Sequence, residues 1–161
     1  MENLEIRLVK NQELEEAGGG YLQSINASNF EEHWLKDGAV ETMKWFYKIQ
    51  PDLFFVALSN GKIVGGMMAL IKPWHDGLRL VDGELFVVPE FQKKGIGCQL
   101  MVVLINEAVR KYNISMIEGI TVPENNFPCT WYKSIGFKVS GLTHIEGEAK
   151  NILVNLKNHK S

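Results

Sequence analysis

Cysteine is scarce in this sequence, and its scarcity excludes two common designs of small protein. Cys98 and Cys129 are the only cysteines among the 161 residues, and neither belongs to a paired Cys or His motif. A disulfide framework and a structural zinc site both need a larger set of suitably spaced ligands. We therefore expect two free thiols and no bound metal.

Long apolar runs are also missing. No stretch of the chain approaches the roughly 20 apolar residues that a membrane span requires. The N-terminal residues MENLEIR lack the apolar centre of a signal peptide. The sequence therefore predicts a cytoplasmic protein with no membrane partner.

Neither sign of charge is in large excess. The formal net charge is -2 at pH 7, whereas a nucleic-acid-binding protein normally carries a clearly basic face. We expect no nucleic acid partner, so any polyanion must be bound locally. A length of 161 residues with 45% apolar residues is typical of one globular domain, which we place over residues 1–161.

Strands and helices alternate along the chain. Alternating polarity at residues 4–8 predicts a first strand, and the apolar run 53–58 predicts a hairpin with residues 63–71 across the Asn60-Gly61 turn. Further strands are predicted at residues 80–88 and 115–122. Between them, apolar residues repeat every four positions from Ile96 to Ala108, which predicts a helix ending near Tyr112.

The two ends of the chain carry weaker patterns. Residues 12–50 are typical of two or three helices, interrupted by the three glycines at 18–20. A short helix is predicted at 128–135, and strands are predicted near 137–141 and 151–156. Strands and helices mixed around one sheet indicate an α/β fold, more specifically one of the α+β type.

A glycine-containing loop connects the strand at 80–88 to the predicted helix. This loop, Gln92–Gly97, offers no Ser, Thr or Asp to cap the helix, so the first helical amides lack an obvious partner. Glycines at 95 and 97 and two lysines favour a diphosphate there. The loop matches neither the Walker pattern nor the dinucleotide pattern, which disfavours ATP and NAD. Taken alone, it also fits an ordinary turn with solvated lysines.

Two motifs together point to one family. Residues 85–97, LFVVPEFQKKGIG, resemble the central motif of the GCN5-related N-acetyltransferase (GNAT) superfamily. Downstream, Asn125 and the segment WYKSIGF at 131–137 are similar to that family's Asn, Tyr and Gly-Phe segment. Pro128 departs from the family, where alanine is common, but proline is tolerated in a first helical turn.

The resemblance implies a particular fold. We expect a single mixed, mostly antiparallel sheet of six to seven strands, flanked by about four helices. Its fourth strand would be bulged, and a V-shaped split would separate strands 4 and 5. Acetyl-CoA would enter this split as co-substrate.

The resemblance also assigns site residues. Backbone groups of three strand residues would hold pantetheine and the thioester carbonyl, and the loop would bind the pyrophosphate. Asn125 would contact the cofactor arm, and Tyr132 would lie near the sulfur. The strand residues are Leu85, Phe86 and Val87, and the loop residues are Gln92, Lys93, Lys94, Gly95, Ile96 and Gly97.

Acetyl transfer to nitrogen needs a base and an acid. An alkylammonium with a pKa of about 10.4 must lose a proton before it can attack. Glu84, which is two positions from Asp82 on the strand, is the first candidate base, and Glu118 on the next strand is the second. The open alternative is that all three are solvated strand carboxylates. Tyr132 suits protonation of the leaving thiolate.

The sequence thus predicts an N-acetyltransferase that moves an acetyl group directly to a primary amine of a small molecule or peptide. The alternative is a non-catalytic protein of the same fold that senses acyl-CoA. The resemblance implies an acceptor pocket in residues 26–50 and 72–78. Edge strands near the C-terminus would allow two subunits to pair, so a homodimer stays open.

Overall fold

The computed structural model describes residues 4–28, 33–122, 126–142, 144 and 147–158. Chain contacts group the protein into two compact units, Met1–Gly119 and Ile120–Ser161. The single domain over residues 1–161 stays a prediction. Of the helices in the described ranges, none has both the length and the apolar character needed to cross a bilayer.

The first unit is built on a five-stranded sheet in the order β1-β2-β3-β4-β5. Neighbouring strands are antiparallel except β4 and β5, which are parallel. The strands are β1 (Leu4–Leu8), β2 (Phe54–Ser59), β3 (Lys62–Trp74), β4 (Gly77–Val87) and β5 (Met116–Ile117). The mixed, mostly antiparallel sheet is confirmed, with five strands in the described residues instead of six or seven.

Three helices belong to the same unit: α1 (Leu14–Asn26), α2 (Lys36–Ile49) and α3 (Ile96–Tyr112). One core cluster lies between α1, α2 and the sheet, and Tyr21, Met43 and Phe86 are among its buried members. On α3, Leu100 reaches the sheet, because a Cβ built on Gly65 of β3 would lie 3.4 Å from it. Helices therefore cover both faces, which explains why β2 is buried from Phe54 to Leu58.

The second unit contains α4 (Cys129–Ser134) and α5 (Ala149–Asn158). The strands predicted near 137–141 and 151–156 are wrong: the first segment is irregular, and the second lies inside α5. The run Ile152, Leu153, Val154 and Leu156 fits a helical face as well as a strand, since short apolar runs do not distinguish the two.

The predicted interruption at residues 18–20 is also wrong, because α1 continues through all three glycines. Two of them are needed for packing. A Cβ on Gly18 would lie 2.8 Å from the Val40 side chain on α2, and a Cβ on Gly20 would lie 3.0 Å from the Phe86 ring on β4. The glycines let α1 approach both neighbours closely, which periodicity alone cannot reveal.

Gly19 and Gly18 provide a matched pair of substitutions. Gly19→Ala should stabilise the protein by about 0.5 to 1 kcal/mol, because alanine favours helix and, in the described chain, no atom beyond the adjacent helical backbone lies within 4 Å of the new Cβ. Gly18→Ala should destabilise it by roughly 1 to 3 kcal/mol, since its Cβ would also lie 2.9 Å from the Val40 backbone. Urea unfolding curves measure both changes. Equal effects of the two substitutions would contradict this packing.

An ion pair joins β1 to the turn before α1. Arg7 donates to both Glu13 carboxylate oxygens at 2.9 and 2.6 Å, and the Lys10 amide donates to Glu13 Oε2 at 2.8 Å. The hydrogen bond from Arg7 is the main reason that the pKa of Glu13 falls to about 2. The folded state therefore favours the ionised carboxylate.

This pairing predicts a pH-dependent effect of Glu13→Gln. The carboxylate stabilises the folded state fully above its ordinary pKa near 4.5, and this contribution disappears as the pH falls towards 2. At pH 7 the substitution should cost roughly 1 to 3 kcal/mol. Denaturant unfolding from pH 7 to pH 2 should show the difference from wild type shrinking towards zero. A constant difference across that range would contradict the assignment.

Candidate functional site

Among the residues that the structure describes, the edge of β4 opposite β3 is open over most of its length. In the described residues, β4 pairs with β5 at Arg79 and Leu80, and the Glu118 amide adds one bond to the Leu80 carbonyl at 2.9 Å. From residue 82 to 87, no strand of the described chain pairs with β4 on this side. This is the expected split between strands 4 and 5.

A β-bulge lies where the open edge begins. Met68 pairs with Glu84 and Leu70 with Val81, so β4 has one residue more than β3 in this interval. The extra residue belongs to the Asp82-Gly83 pair, and Asp82 adopts a φ of +51°. A bulge bends its strand and increases the local twist. It therefore turns the following part of β4 where pairing with β5 ends.

The backbone groups of Leu85 and Val87 lie on the open edge. The Val88 amide donates to the Val64 carbonyl of β3 at 3.0 Å. Since alternate residues direct their polar groups to opposite sides, Leu85 and Val87 direct theirs away from β3. The Gln92 side-chain amide accordingly donates to the Val87 carbonyl at 3.0 Å. Phe86 differs, because its ring is buried and its backbone faces β3.

In the described chain, no side chain caps the helix start beside this edge. Gly95 precedes α3 with a φ of +79°, and the first helical bond runs from the Gln99 amide to the Gly95 carbonyl at 3.2 Å. Within the described chain, no protein group accepts from the amides of Ile96, Gly97 and Cys98. These amides, at the positive end of the helix dipole, form a binding place for an anion.

The glycine loop and the open edge are adjacent. A Cβ added to Gly97 would lie 3.6 Å from the Leu85 side chain and 4.0 Å from the Val87 side chain, so the start of α3 packs on the residues whose backbone groups form the open edge. The side chain of Lys94 is occupied, because it donates to the Glu90 carbonyl at 2.7 Å and lies 4.8 Å from the Phe91 ring centroid. Lys93 is exposed with a φ of +59°. A diphosphate at the helix start would thus lie next to a strand edge able to bind an extended arm.

Glu84 is half-buried on the face of β4 that α1 covers. The Tyr21 hydroxyl donates to Glu84 Oε2 at 3.2 Å. Phe86, two positions after Glu84, also contacts Tyr21, with ring centroids 5.9 Å apart. The side chains of Glu84 and Phe86 therefore project to the same face of β4. The pattern of the sequence gave no indication of Tyr21, because a buried tyrosine at a helical core position is normally a packing residue.

Glu118 has a different environment. Its carboxylate accepts from Arg79 at 3.2 Å, and Arg79 also donates to Asp76 at 2.6 and 3.1 Å. The hydrogen bond from Arg79 is the main cause of the lowered pKa of Asp76. The Arg79–Glu118 pair links β4 to the residue after β5, where the two strands separate.

Tyr132 lies on α4, in the second unit. Its ring packs against Phe137 with centroids 5.4 Å apart, and the Phe137 amide donates to the Tyr132 carbonyl at 3.0 Å. Gly136 has a φ of +107° and turns the chain back between them. The spacing of Tyr132, Gly136 and Phe137 therefore has a local structural cause. Asn125 lies outside the described residues.

The described part of the chain contains no group of three His, Cys, Asp or Glu residues placed to hold a metal ion.

Comparisons with known proteins identify the family. A family model for the acetyltransferase (GNAT) domain matches residues 50–139. An uncharacterised N-acetyltransferase of Methanocaldococcus jannaschii is 33% identical over 102 residues, which are 59% of this chain and 43% of that protein. The chain thus spans less than half the length of this relative.

Two solved structures share the fold. A Pyrococcus horikoshii protein is 28% identical, with a TM-score of 0.70 over 89% of this chain and 94% of its own. An aminoglycoside N-acetyltransferase in complex with CoA is 20% identical, with a TM-score of 0.68 over 91% of this chain and 95% of its own. The chain belongs to the GNAT family of acetyltransferases.

Proposed function

We propose that this protein transfers the acetyl group of acetyl-CoA directly to a primary amine of a small molecule or peptide. The observation that carries the proposal is the adjacency of the open β4 edge at Leu85 and Val87 to the uncapped start of α3 at Gly97. Family membership and a CoA-bound structural neighbour support it. The cytoplasmic location and the absence of a nucleic acid or membrane partner stay predictions from sequence, and a homodimer stays open.

The residues present fit acetyl-CoA. Gly95 has open space around its Cβ position and the loop leaves three helical amides for phosphate oxygens. The edge groups of Leu85 are suited to the amides of pantetheine, in the manner of an added strand, and the Val87 amide is suited to the thioester carbonyl. The resemblance assigns Asn125 to the cofactor arm and Gln92, Lys93, Lys94 and Ile96 to the pyrophosphate. For Lys94 this role requires its side chain to leave the Glu90 carbonyl.

The chemistry requires two proton transfers. Acetyl-CoA supplies an activated thioester. We assign to Glu84 the removal of the proton from the acceptor ammonium, after which the nitrogen forms the C–N bond as the C–S bond breaks. The Val87 amide is positioned on the open edge to stabilise the oxyanion. Tyr132 is proposed to protonate the thiolate, and Tyr132→Phe with an unchanged rate of acetyl transfer would remove it from this role.

Glu118 stays the second candidate base. Its ion pair with Arg79 favours another task, which is to hold β4 and β5 together where the split begins. Replacing Glu118 therefore distinguishes a catalytic role from a structural one. Loss of a base lowers turnover, whereas loss of a link between strands mainly lowers stability.

A thiol-release assay tests the proposal. Wild-type protein with acetyl-CoA is screened against small amines, polyamines, aminoglycosides and peptide N-termini, and mass spectrometry identifies the product. We expect CoA release that depends on one class of amine and gives an acetamide. CoA binding without release for any class would instead support the acyl-CoA-sensing alternative, and an ester product would indicate a hydroxyl acceptor.

A further inference from the structure

A hydrogen bond connects the interior of α1 to the proposed base. The Tyr21 hydroxyl donates to Glu84 Oε2 at 3.2 Å, across 63 positions of sequence. Tyr21 is only 2% exposed, whereas Glu84 is half-buried next to the open edge of β4. The bond thus joins a fixed core side chain to a carboxylate beside the site.

The Tyr21 ring is held by its neighbours. Its centroid lies 5.3 Å from that of Trp34 and 5.9 Å from that of Phe86, and both contacts are edge-to-face at 87° and 88°. Trp34 is itself fixed to the end of α1, because its backbone amide and carbonyl each form a 3.2 Å hydrogen bond with the Asn26 side chain. The hydroxyl position is therefore set by packing on several sides.

We propose that Tyr21 is a positioning residue for the reaction: its hydroxyl holds the Glu84 carboxylate in the orientation that accepts the proton of the acceptor amine. This inference rests on the proposed function. Glutamate has three side-chain torsions, and a base acts efficiently only within about 2.6 to 3.2 Å of the proton donor. The hydrogen bond from an immobile donor restricts those torsions. Trp34 connects the same donor to the segment expected to bind the acceptor.

The test uses two tyrosines that make the same kind of bond. Tyr112, at the end of α3, donates its hydroxyl to Asp52 Oδ2 at 2.5 Å, far from the glycine loop at the start of that helix. Tyr21→Phe and Tyr112→Phe each remove a hydroxyl that donates to a carboxylate and keep the ring, and Tyr112→Phe also removes the acceptor of the Gln50 side-chain amide. Both variants should lose a similar few degrees of melting temperature.

Only Tyr21→Phe should affect turnover. We expect kcat to fall by about tenfold, with KM for acetyl-CoA within twofold of wild type, because truncation removes orientation without removing the base. Tyr112→Phe should keep the wild-type kcat. In a Glu84→Gln background, Tyr21→Phe should cause no further loss, since there is no base left to orient.

Carboxyl ¹³C NMR gives a readout without substrate: the Glu84 resonance should shift in Tyr21→Phe and stay unchanged in Tyr112→Phe. An unchanged kcat in Tyr21→Phe, or an equal loss in the Glu84→Gln background, would overturn the inference while leaving the acetyltransferase assignment intact. If Glu84→Gln itself keeps full activity, the choice of base fails and the positioning role fails with it. A wild-type protein without acetyltransferase activity would contradict the proposed function. An unshifted Glu84 resonance in Tyr21→Phe would independently contradict the hydrogen bond between Tyr21 and Glu84.

Discussion

Glu84→Gln should lower kcat for amine acetylation by about a hundredfold or more, with little change in the affinity for acetyl-CoA. A positioned general base contributes roughly 10²- to 10⁴-fold to such a step. The pKa of an alkylammonium, about 10.4, lies about 3.4 units above pH 7. Deprotonation at pH 7 therefore costs about 4.6 kcal/mol. Glutamine keeps the size of the side chain and can still accept the hydrogen bond from Tyr21. The loss should therefore reflect proton transfer and not packing.

Glu118→Gln is the matched control for this prediction. It removes the same charge from a half-buried carboxylate near the start of the split, but one paired with Arg79. We expect a modest stability change and less than a fivefold effect on kcat. Steady-state kinetics at saturating acetyl-CoA, with melting curves for both variants, provide the measurement. A large loss of kcat in Glu118→Gln, together with full activity in Glu84→Gln, would show that Glu118 and not Glu84 is the general base.

Gly95→Ala should weaken acetyl-CoA binding by roughly tenfold to a hundredfold. Gly95 has a φ of +79°, a backbone conformation that costs alanine about 1 to 2 kcal/mol. Relief of this strain would rotate the loop and misalign the amides at the start of α3. The loss of one phosphate hydrogen bond, worth about 1.5 to 3 kcal/mol, accounts for a change of this size.

Gly61→Ala controls for strain alone. Gly61, in the turn between β2 and β3, has a φ of +77°. As at Gly95, no described residue other than its chain neighbours has an atom within 4 Å of its Cβ position. Both variants should therefore lose similar stability, and only Gly95→Ala should lose affinity. Calorimetric titration with CoA measures the difference. Equal CoA affinities for the two variants would show that the loop does not bind the phosphates.

The sequence predicted the elements with strong local patterns well. β1 coincides with the predicted strand at 4–8, and the Asn60-Gly61 turn joins two strands as expected. The helix after the glycine loop begins one residue before Gly97 and ends at Tyr112. Each of these elements has either a regular repeat of apolar residues or a turn sequence that few residues can form. Local sequence is therefore sufficient to predict them.

Elements that depend on distant contacts were predicted poorly. The glycines at 18–20 have low helix propensity, yet α1 tolerates them because Val40 and Phe86 pack closely against two of them. The apolar residues from Ile152 to Leu156 carry no strong period, and they form a helix instead of a strand. For the glycines, the residues that decide the structure lie far away in the sequence. For the segment from Ile152 to Leu156, the local pattern does not distinguish a helix from a strand.

The candidate site divides in the same way. The loop could be found from the sequence because its glycines and the missing cap are local signals, whereas the open strand edge was expected from the resemblance to the family. The position of the bulge at Asp82-Gly83 and the contact of Tyr21 with Glu84 depend on pairing across 63 positions and on strand register, which a single sequence does not specify.

The stabilisation of the folded protein by CoA tests the central claim most directly. Ligand at 100 times its dissociation constant should stabilise the wild type by about 2.7 kcal/mol, which for a protein of this size raises the melting temperature by several degrees. The same concentration should give a smaller rise in Gly95→Ala and a full rise in Gly61→Ala. No rise with CoA, or an equal rise with ATP or NAD, would contradict the assignment of the β4 edge and the α3 start as an acyl-CoA site.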